Sequence, residues 1–260
     1  MNAYDALARD YDALTADIPY EQLADWYSAA LTRKGGAVST LLDLGCGTGT
    51  LTLLMAQRGF ELIGTDASAE MLSEFQQKLY DLPARTVRPM LLCQRSEEPD
   101  LYGTVDGAYC SLDGMNYLSG EALPEVFRRL HLFIAPGGML AFDFFSAERM
   151  QRLDGECFVD ERDCLLCLWR ASFENGTLHY GLDLFTETED GLWEREQEEH
   201  EEYYHSPERL TELLTAAGFG DIRIYDDGPQ HELAGCISQR KGYERQLWVK
   251  SSVRCPMRTL

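Results

Sequence analysis

Two glycines and an aspartate about twenty residues further on are the residues of this chain best spaced to hold a ligand. Gly45 and Gly47 lie in the run Leu41-Leu42-Asp43-Leu44-Gly45-Cys46-Gly47-Thr48-Gly49-Thr50. Lacking side chains, they let the backbone turn sharply and let a ligand press on bare main chain. Asp66 closes a second apolar run, Phe60 to Thr65. A carboxylate there accepts hydrogen bonds from both hydroxyls of a ribose. The loop alone is a weak signal. With an apolar strand before it (Val38 to Leu44), a helix start after it (Leu51 to Arg58) and the acid at the end of the next strand, it points to an adenosine-containing cofactor.

A second group of residues has the types that move protons. Asp113 and Asn116 follow the apolar run Val105 to Leu112, where ligands of parallel α/β sheets bind. They are candidates to face a substrate or, equally, to cap the next turn. His179, His200 and His205 are each a base if the segment carrying them roofs the site, although a satisfied surface or core histidine is the commoner outcome. Strand alternation puts Glu194, Glu196, Glu198, His200 and Glu202 on one face, in a stretch, Glu187 to Glu202, with nine acids and one base, Arg195. That face either overlooks a cationic substrate or is a solvated edge whose charge discourages pairing. Cys164 and Cys167 are three apart with no second pair, so buried strand cysteines are expected and no metal.

The elements that position these groups alternate strand and helix from Val38 to Phe145, the rhythm of a parallel, doubly wound sheet. Two helical pieces, split near Ile18-Pro19, precede it. Ser68 is a candidate N-cap for a helix to about Tyr80. Glu121 to Ile134 reads as a helix stopped by Pro136-Gly137-Gly138. From Cys157 to Tyr204 the helical period disappears. Cys164 to Phe173 and Leu178 to Thr186 read as strands joined at Asn175-Gly176, a hairpin signal, with a third strand in Leu192 to Tyr204. Ser206-Pro207 starts a helix that Gly218 ends. Asp221 to Tyr225 and Tyr243 to Lys250 read as the last two strands. The expected organisation is one α/β domain, 1–150 with 205–260, interrupted by an antiparallel β insert at 151–204.

The 260 residues suffice for a sizeable core. The net charge of −21 argues against nucleic acid and anionic membranes, which need clustered lysine and arginine, and suits a small, cationic partner. No apolar run has membrane-spanning length, no signal region is present, and eight cysteines sit mostly in strand-like runs, so a cytoplasmic location is expected.

The string D-L-G-C-G-T-G resembles the first motif of the class I S-adenosylmethionine (SAM)-dependent methyltransferases. Dinucleotide folds place their third glycine one residue later, where this chain has Thr50. Asp66-Ala67-Ser68 with Met71-Leu72 resembles the motif after strand two of that family. Leu92-Cys93-Gln94, Ala108 to Leu112 and Leu132 to Leu140 resemble its strands three, four and the turn into five. The resemblance implies a Rossmann-like, seven-stranded sheet, SAM as cofactor and a small-molecule acceptor: an amine first, then a hydroxyl or carboxylate. It implies cofactor contacts at Asp43, Gly45, Cys46, Gly47, Asp66, Ala67, Met71, Gln94, Arg95 and Leu112. Where the family often has Gln-Asp this chain has Gln94-Arg95, and arginine accepts no hydrogen bond, so the adenine contact falls to Gln94 or a backbone carbonyl. The β insert and Tyr11-Asp12 in a leading helix are similar to sugar-amine N,N-dimethyltransferases and glycine/sarcosine-type enzymes, which implies that Tyr11 closes over the methionine end of SAM. A non-catalytic SAM-binding protein and, less well supported, an NAD-dependent oxidoreductase are the alternatives. Whether the chain forms a homodimer is open.

Overall fold

The computed structural model describes residues 4, 6–33, 35, 37–225 and 233–241. Its helices are α1 (Tyr11–Leu14), α2 (Tyr20–Thr32), α3 (Thr50–Gln57), α4 (Ala69–Lys78), α5 (Leu123–Phe133), α6 (Ala147–Leu153) and α7 (Pro207–Ala217). Its strands are β1 (Thr40–Leu44), β2 (Glu61–Asp66), β3 (Met90–Cys93), β4 (Val105–Cys110), β5 (Ile134–Phe145), β6 (Cys157–Arg162), β7 (Leu165–Glu174), β8 (Thr177–Glu187), β9 (Trp193–Tyr203), β10 (Phe219–Tyr225) and β11 (Leu233–Arg240).

Seven strands form one sheet in the order β10-β11-β5-β4-β1-β2-β3. The pairs β1–β2, β1–β4, β2–β3 and β4–β5 are parallel, and β11 runs antiparallel to β5 and β10. Strand alternation divides the apolar residues between two helical layers. Leu42, Leu44, Phe142 and Phe144 meet Phe127 and Leu130 of α5 and Leu210 and Leu214 of α7. Leu41, Tyr109 and Ala141 meet Leu23 and Tyr27 of α2 and Leu51 and Met55 of α3. The order of strands turns back between β1 and β4, and the carboxyl ends of both open onto the same crevice, as expected of a doubly wound sheet.

Sequence signals set most element boundaries. The Ser68 hydroxyl accepts the Met71 N–H at the start of α4, and the Ser206 hydroxyl accepts the Arg209 N–H at the start of α7. Gly218 ends α7 with φ of 102°. Asn175 and Gly176 both take positive φ, 53° and 83°, and close the β7–β8 hairpin. Gly138 inside β5 is obligatory for packing, because a Cβ there would lie 2.3 Å from the Asp106 carbonyl oxygen.

The second sheet, β6-β7-β8-β9, is antiparallel throughout. It has four strands rather than the three expected, and α6 precedes it. The strand that completes the large sheet between β10 and β5 is Leu233–Arg240, while the Tyr243 to Lys250 expectation lies outside the described residues. No helix among the described residues is long and apolar enough to cross a membrane.

Candidate active site

The crevice holds a cavity of about 340 Å³ between the glycine loop, the N-terminal helical segment and the second sheet. The loop is shaped by three glycines with positive φ, Gly45 at 79°, Gly47 at 54° and Gly49 at 77°. Two of them are glycine for different reasons. A Cβ on Gly49 would sit 2.4 Å from the Phe75 ring, whereas a Cβ on Gly47 would meet nothing within 4 Å. Gly49 is therefore fixed by packing, and Gly47 borders open cavity. Asp66 stands across the loop. Its Oδ2 accepts the Gly47 N–H at 2.8 Å and its Oδ1 accepts the Ser68 N–H at 2.9 Å.

Asp43, near the end of β1, also borders the cavity. Its Oδ2 accepts the hydroxyls of Thr52 at 2.6 Å and Tyr109 at 2.8 Å. Its Oδ1 is buried and has no hydrogen-bond partner among the described residues. Burial pushes its pKa up to about 7 against the pull of those two hydroxyls. A buried carboxylate with an orphaned oxygen beside a cavity fits a cationic donor such as the ammonium of SAM. Cys46, Ala67, Met71, Arg95 and Leu112 line the same wall. Burial pushes the Cys46 thiol up, so it is no thiolate.

Tyr11 lines the cavity from α1, and Asp12 holds it there. Asp12 Oδ1 accepts the hydroxyls of Thr48 at 2.7 Å and Thr50 at 3.1 Å, and its carboxylate pairs with Lys78 of α4.

The far end of the cavity is built by the turn after β4 and by β9. Asp143 of β5, fully buried, accepts the N–H groups of Leu112 at 3.1 Å and Asp113 at 2.6 Å, together with the Tyr27 hydroxyl at 2.8 Å. This holds Leu112 and Asp113 in the left-handed region, each with φ of 55°. Tyr117 follows on the same turn and reaches two neighbours. Its hydroxyl lies 2.6 Å from that of Tyr4 and 3.1 Å from His200 Nδ1. His200 Nε2 is 2.8 Å from Glu198 Oε2. Burial, followed by the charge of Glu202, pushes Asp113 up, and burial pushes Glu202 up to about 8. With both carboxyls raised in one buried site, ionising one disfavours ionising the other, and the pair retains a proton near neutral pH.

The alternating face of β9 thus carries the inward residues. Glu198, His200 and Glu202 are buried, at 9%, 3% and 2% exposure, while Glu194 and Glu196 at the outer end are exposed. Of the expected site residues, Tyr11, Asp43, Gly45, Cys46, Gly47, Asp66, Ala67, Met71, Arg95, Leu112 and His200 meet at the cavity. Gln94 does not, because both ends of its amide bond the Asp100 backbone. Asn116 is fully buried behind the wall. It donates to the Tyr203 carbonyl at 2.9 Å and accepts the Phe145 N–H at 3.0 Å, tying the turn to the second sheet. His179 is on the outer face beside Glu201 at 3.5 Å, and buried His205 bonds the Leu118 carbonyl. Among the described residues no group of acids, histidines and cysteines could hold a metal. Sequence reasoning passed over Tyr4 and Tyr117. Tyr117 directly follows Asn116, but its partners come from segments far off in sequence.

Comparison with known proteins matches residues 41–138 to a family described as "Methyltransferase domain". The chain is 30% identical over 229 residues to the putative methyltransferase YqeM of Bacillus subtilis, covering 86% of this chain and 89% of that one. A solved S-adenosylmethionine-dependent methyltransferase from Clostridium acetobutylicum superposes with a TM-score of 0.80 at 25% identity, covering 93% of this chain and all of that one. The SAM-bound structure of CalS10, an amino pentose methyltransferase from Micromonospora echinaspora, superposes with a TM-score of 0.71 at 19% identity, covering 93% and 98%.

Proposed function

We propose that this chain, which belongs to the class I S-adenosylmethionine-dependent methyltransferases, methylates a small-molecule amine. When bound, SAM supplies a methyl group on a sulfonium carbon already activated for in-line displacement. The protein has to align an acceptor with that carbon, exclude water and dispose of a proton. In this reading Asp66 receives the ribose hydroxyls and the free oxygen of Asp43 the ammonium. The loop main chain at Gly45 and Gly47 lies against the ligand. Cys46, Ala67, Met71, Arg95 and Leu112 supply the remaining walls, and Tyr11 covers the methionine end. Residues 1–150 and 205–260 act as the SAM-binding domain, and the insert at 151–204 covers the acceptor.

One observation carries the amine. The acceptor end is lined by Tyr4, Tyr117 and His200 and backed by the carboxyls of Glu198, Glu202 and Asp113. Such a surface attracts an ammonium and repels a carboxylate. The CalS10 structure that shares the fold is that of an amino pentose methyltransferase, named for a sugar that carries an amine. The test is S-adenosylhomocysteine release across panels of amino sugars, aliphatic amines, hydroxy compounds and carboxylic acids. Amine-dependent release is expected. Release with carboxylic acids alone overturns the amine.

A further inference from the structure

Glu198 makes two kinds of contact through one carboxylate. Its Oε1 accepts the backbone N–H groups of Ala6 at 2.5 Å and Leu7 at 3.2 Å. Its Oε2 accepts the Tyr4 N–H at 3.0 Å and meets His200 Nε2 at 2.8 Å. Burial opposes ionisation of Glu198, but the hydrogen bonds from His200, Ala6 and Leu7 outweigh it and hold the carboxyl below its usual range. An ionised carboxylate only accepts hydrogen bonds. Nε2 of His200 must therefore carry a proton, and the ring in its neutral form turns a bare Nδ1 lone pair toward Tyr117.

The direction of the remaining bonds follows. Tyr117 Oη is within hydrogen-bond distance of His200 Nδ1 and Tyr4 Oη, and because a bare Nδ1 only accepts, the Tyr117 hydroxyl donates to His200. It then has a lone pair for the Tyr4 hydroxyl, 2.6 Å away. Tyr4 Oη has no other protein hydrogen-bond partner among the described residues, and Tyr4 lines the cavity. Its free lone pair ends the chain at the cavity, where a ligand can reach it. Burial keeps both phenols protonated, which suits groups that pass a proton on rather than hold a charge.

We infer that Tyr4 is a catalytic residue that takes the proton of the acceptor, and that Tyr117 and His200 relay it. This rests on the reading of the acceptor as an amine. The arriving ammonium gives a proton to Tyr4 Oη as Tyr4 passes its own to Tyr117 Oη and Tyr117 passes its own to His200 Nδ1. An imidazolium is left beside the Glu198 carboxylate. The freed nitrogen lone pair forms the bond to the methyl carbon, the carbon–sulfur bond breaks, and its electron pair stays on sulfur as the thioether of S-adenosylhomocysteine. The relay proton leaves to solvent after transfer. Because Glu198 also fastens the backbone of Tyr4, Ala6 and Leu7, the relay is complete only while the N-terminal segment is docked on β9.

The test is a long-range proton–nitrogen NMR spectrum of the full chain, labelled at the histidine rings and saturated with S-adenosylhomocysteine, with His200 assigned from His200→Gln. The Nε2–H tautomer is expected, with a hydrogen-bond shift at Nδ1 that Tyr117→Phe removes and Tyr4→Phe weakens. An Nδ1–H tautomer, or an Nδ1 resonance that neither variant moves, overturns the relay. Initial rates with glucosamine and ethanolamine as probes give the second readout. Tyr4→Phe and Tyr117→Phe should each lower kcat at least about tenfold with unchanged SAM affinity, and an unchanged kcat in both overturns the role of the hydroxyls. If neither probe nor any other amine is methylated by the wild type, the amine reading fails, while the tautomer still decides the relay.

Discussion

Asp12 Oδ1 lies 2.7 Å from the Thr48 hydroxyl, so a carboxylate from the first helical turn is bound into the loop that shapes the cavity. The same carboxylate reaches Thr50 and Lys78, and three elements converge on it. These bonds are the reason Tyr11, one residue earlier, faces the cavity. Hydrogen bonds to a charged group are worth about 1.5–3 kcal/mol each when partly buried, and Asp12 is half-exposed, so the lower end applies. Asp12→Ala should weaken SAM binding about fivefold to thirtyfold by calorimetry and speed amide exchange across residues 6–14. Unchanged exchange there means the segment is held by Glu198 alone.

Gly47 and Gly49 separate ligand contact from packing. Both have positive φ, which costs an alanine about 1–2 kcal/mol. Only at Gly49 does the new Cβ strike the protein, at the Phe75 ring. Gly49→Ala should therefore lower the melting temperature well beyond Gly47→Ala. Gly47→Ala should cost more in SAM affinity than its loss of stability explains. Equal losses of both quantities in the two variants would reduce the loop to a turn.

The glycine loop, Asp66 and the hairpin at Asn175-Gly176 were legible because each depends on residues close in sequence. Glycine at positive φ, an acid ending an apolar run and an Asn-Gly pair all announce local backbone geometry. The strand Leu233–Arg240 carried no such mark. Gly235 interrupts it, its polar end resembles a loop, and it is a strand because β5 and β10 supply ladders on both sides. The acid-rich stretch left two readings open, a solvated edge or a face over the site. Glu194 and Glu196 are exposed, while Glu198 and Glu202 are buried because partners arrive from the N-terminus and from the turn after β4. Nothing local to residues 187–202 records those partners. A triple neutralisation of Glu196, Glu198 and Glu202 would accordingly undock the N-terminal segment as well as remove charge, so it cannot isolate electrostatic steering.

Asp43 gives SAM binding a pH dependence whose sign is fixed. Its pKa in the free protein is about 7, and an ammonium binds the ionised form. Below pH 7 binding must first expel a proton, so affinity should fall as pH drops from 7.5 to 5.5, by up to about tenfold per unit. Calorimetry at pH 6 in two buffers of different ionisation heat should register release of about one proton. Asp43→Asn should bind more weakly, with neither the slope nor the release. A wild-type affinity independent of pH over this range would remove the ammonium from Asp43.

Glu202 makes the fold itself sensitive to pH. In the folded chain burial raises its pKa from 4.5 to about 8, while in the unfolded chain it titrates near its ordinary value. Between those two pH values the folded state binds the extra proton, so the Glu202 contribution to stability is full below about 4.5 and is lost as pH rises to about 8. Above 8 the loss is complete and levels off. Asp113 faces the same carboxyl and steepens the loss, because ionising both would set two like charges together in a buried site. Glu202→Gln keeps the size and the polarity of the side chain but never ionises. Its melting temperature relative to wild type should therefore rise from pH 5 to pH 8 and then stay level. A difference that is flat across that range, or one that shrinks, would mean that Glu202 is already ionised in the fold and that the proton lies elsewhere in the network.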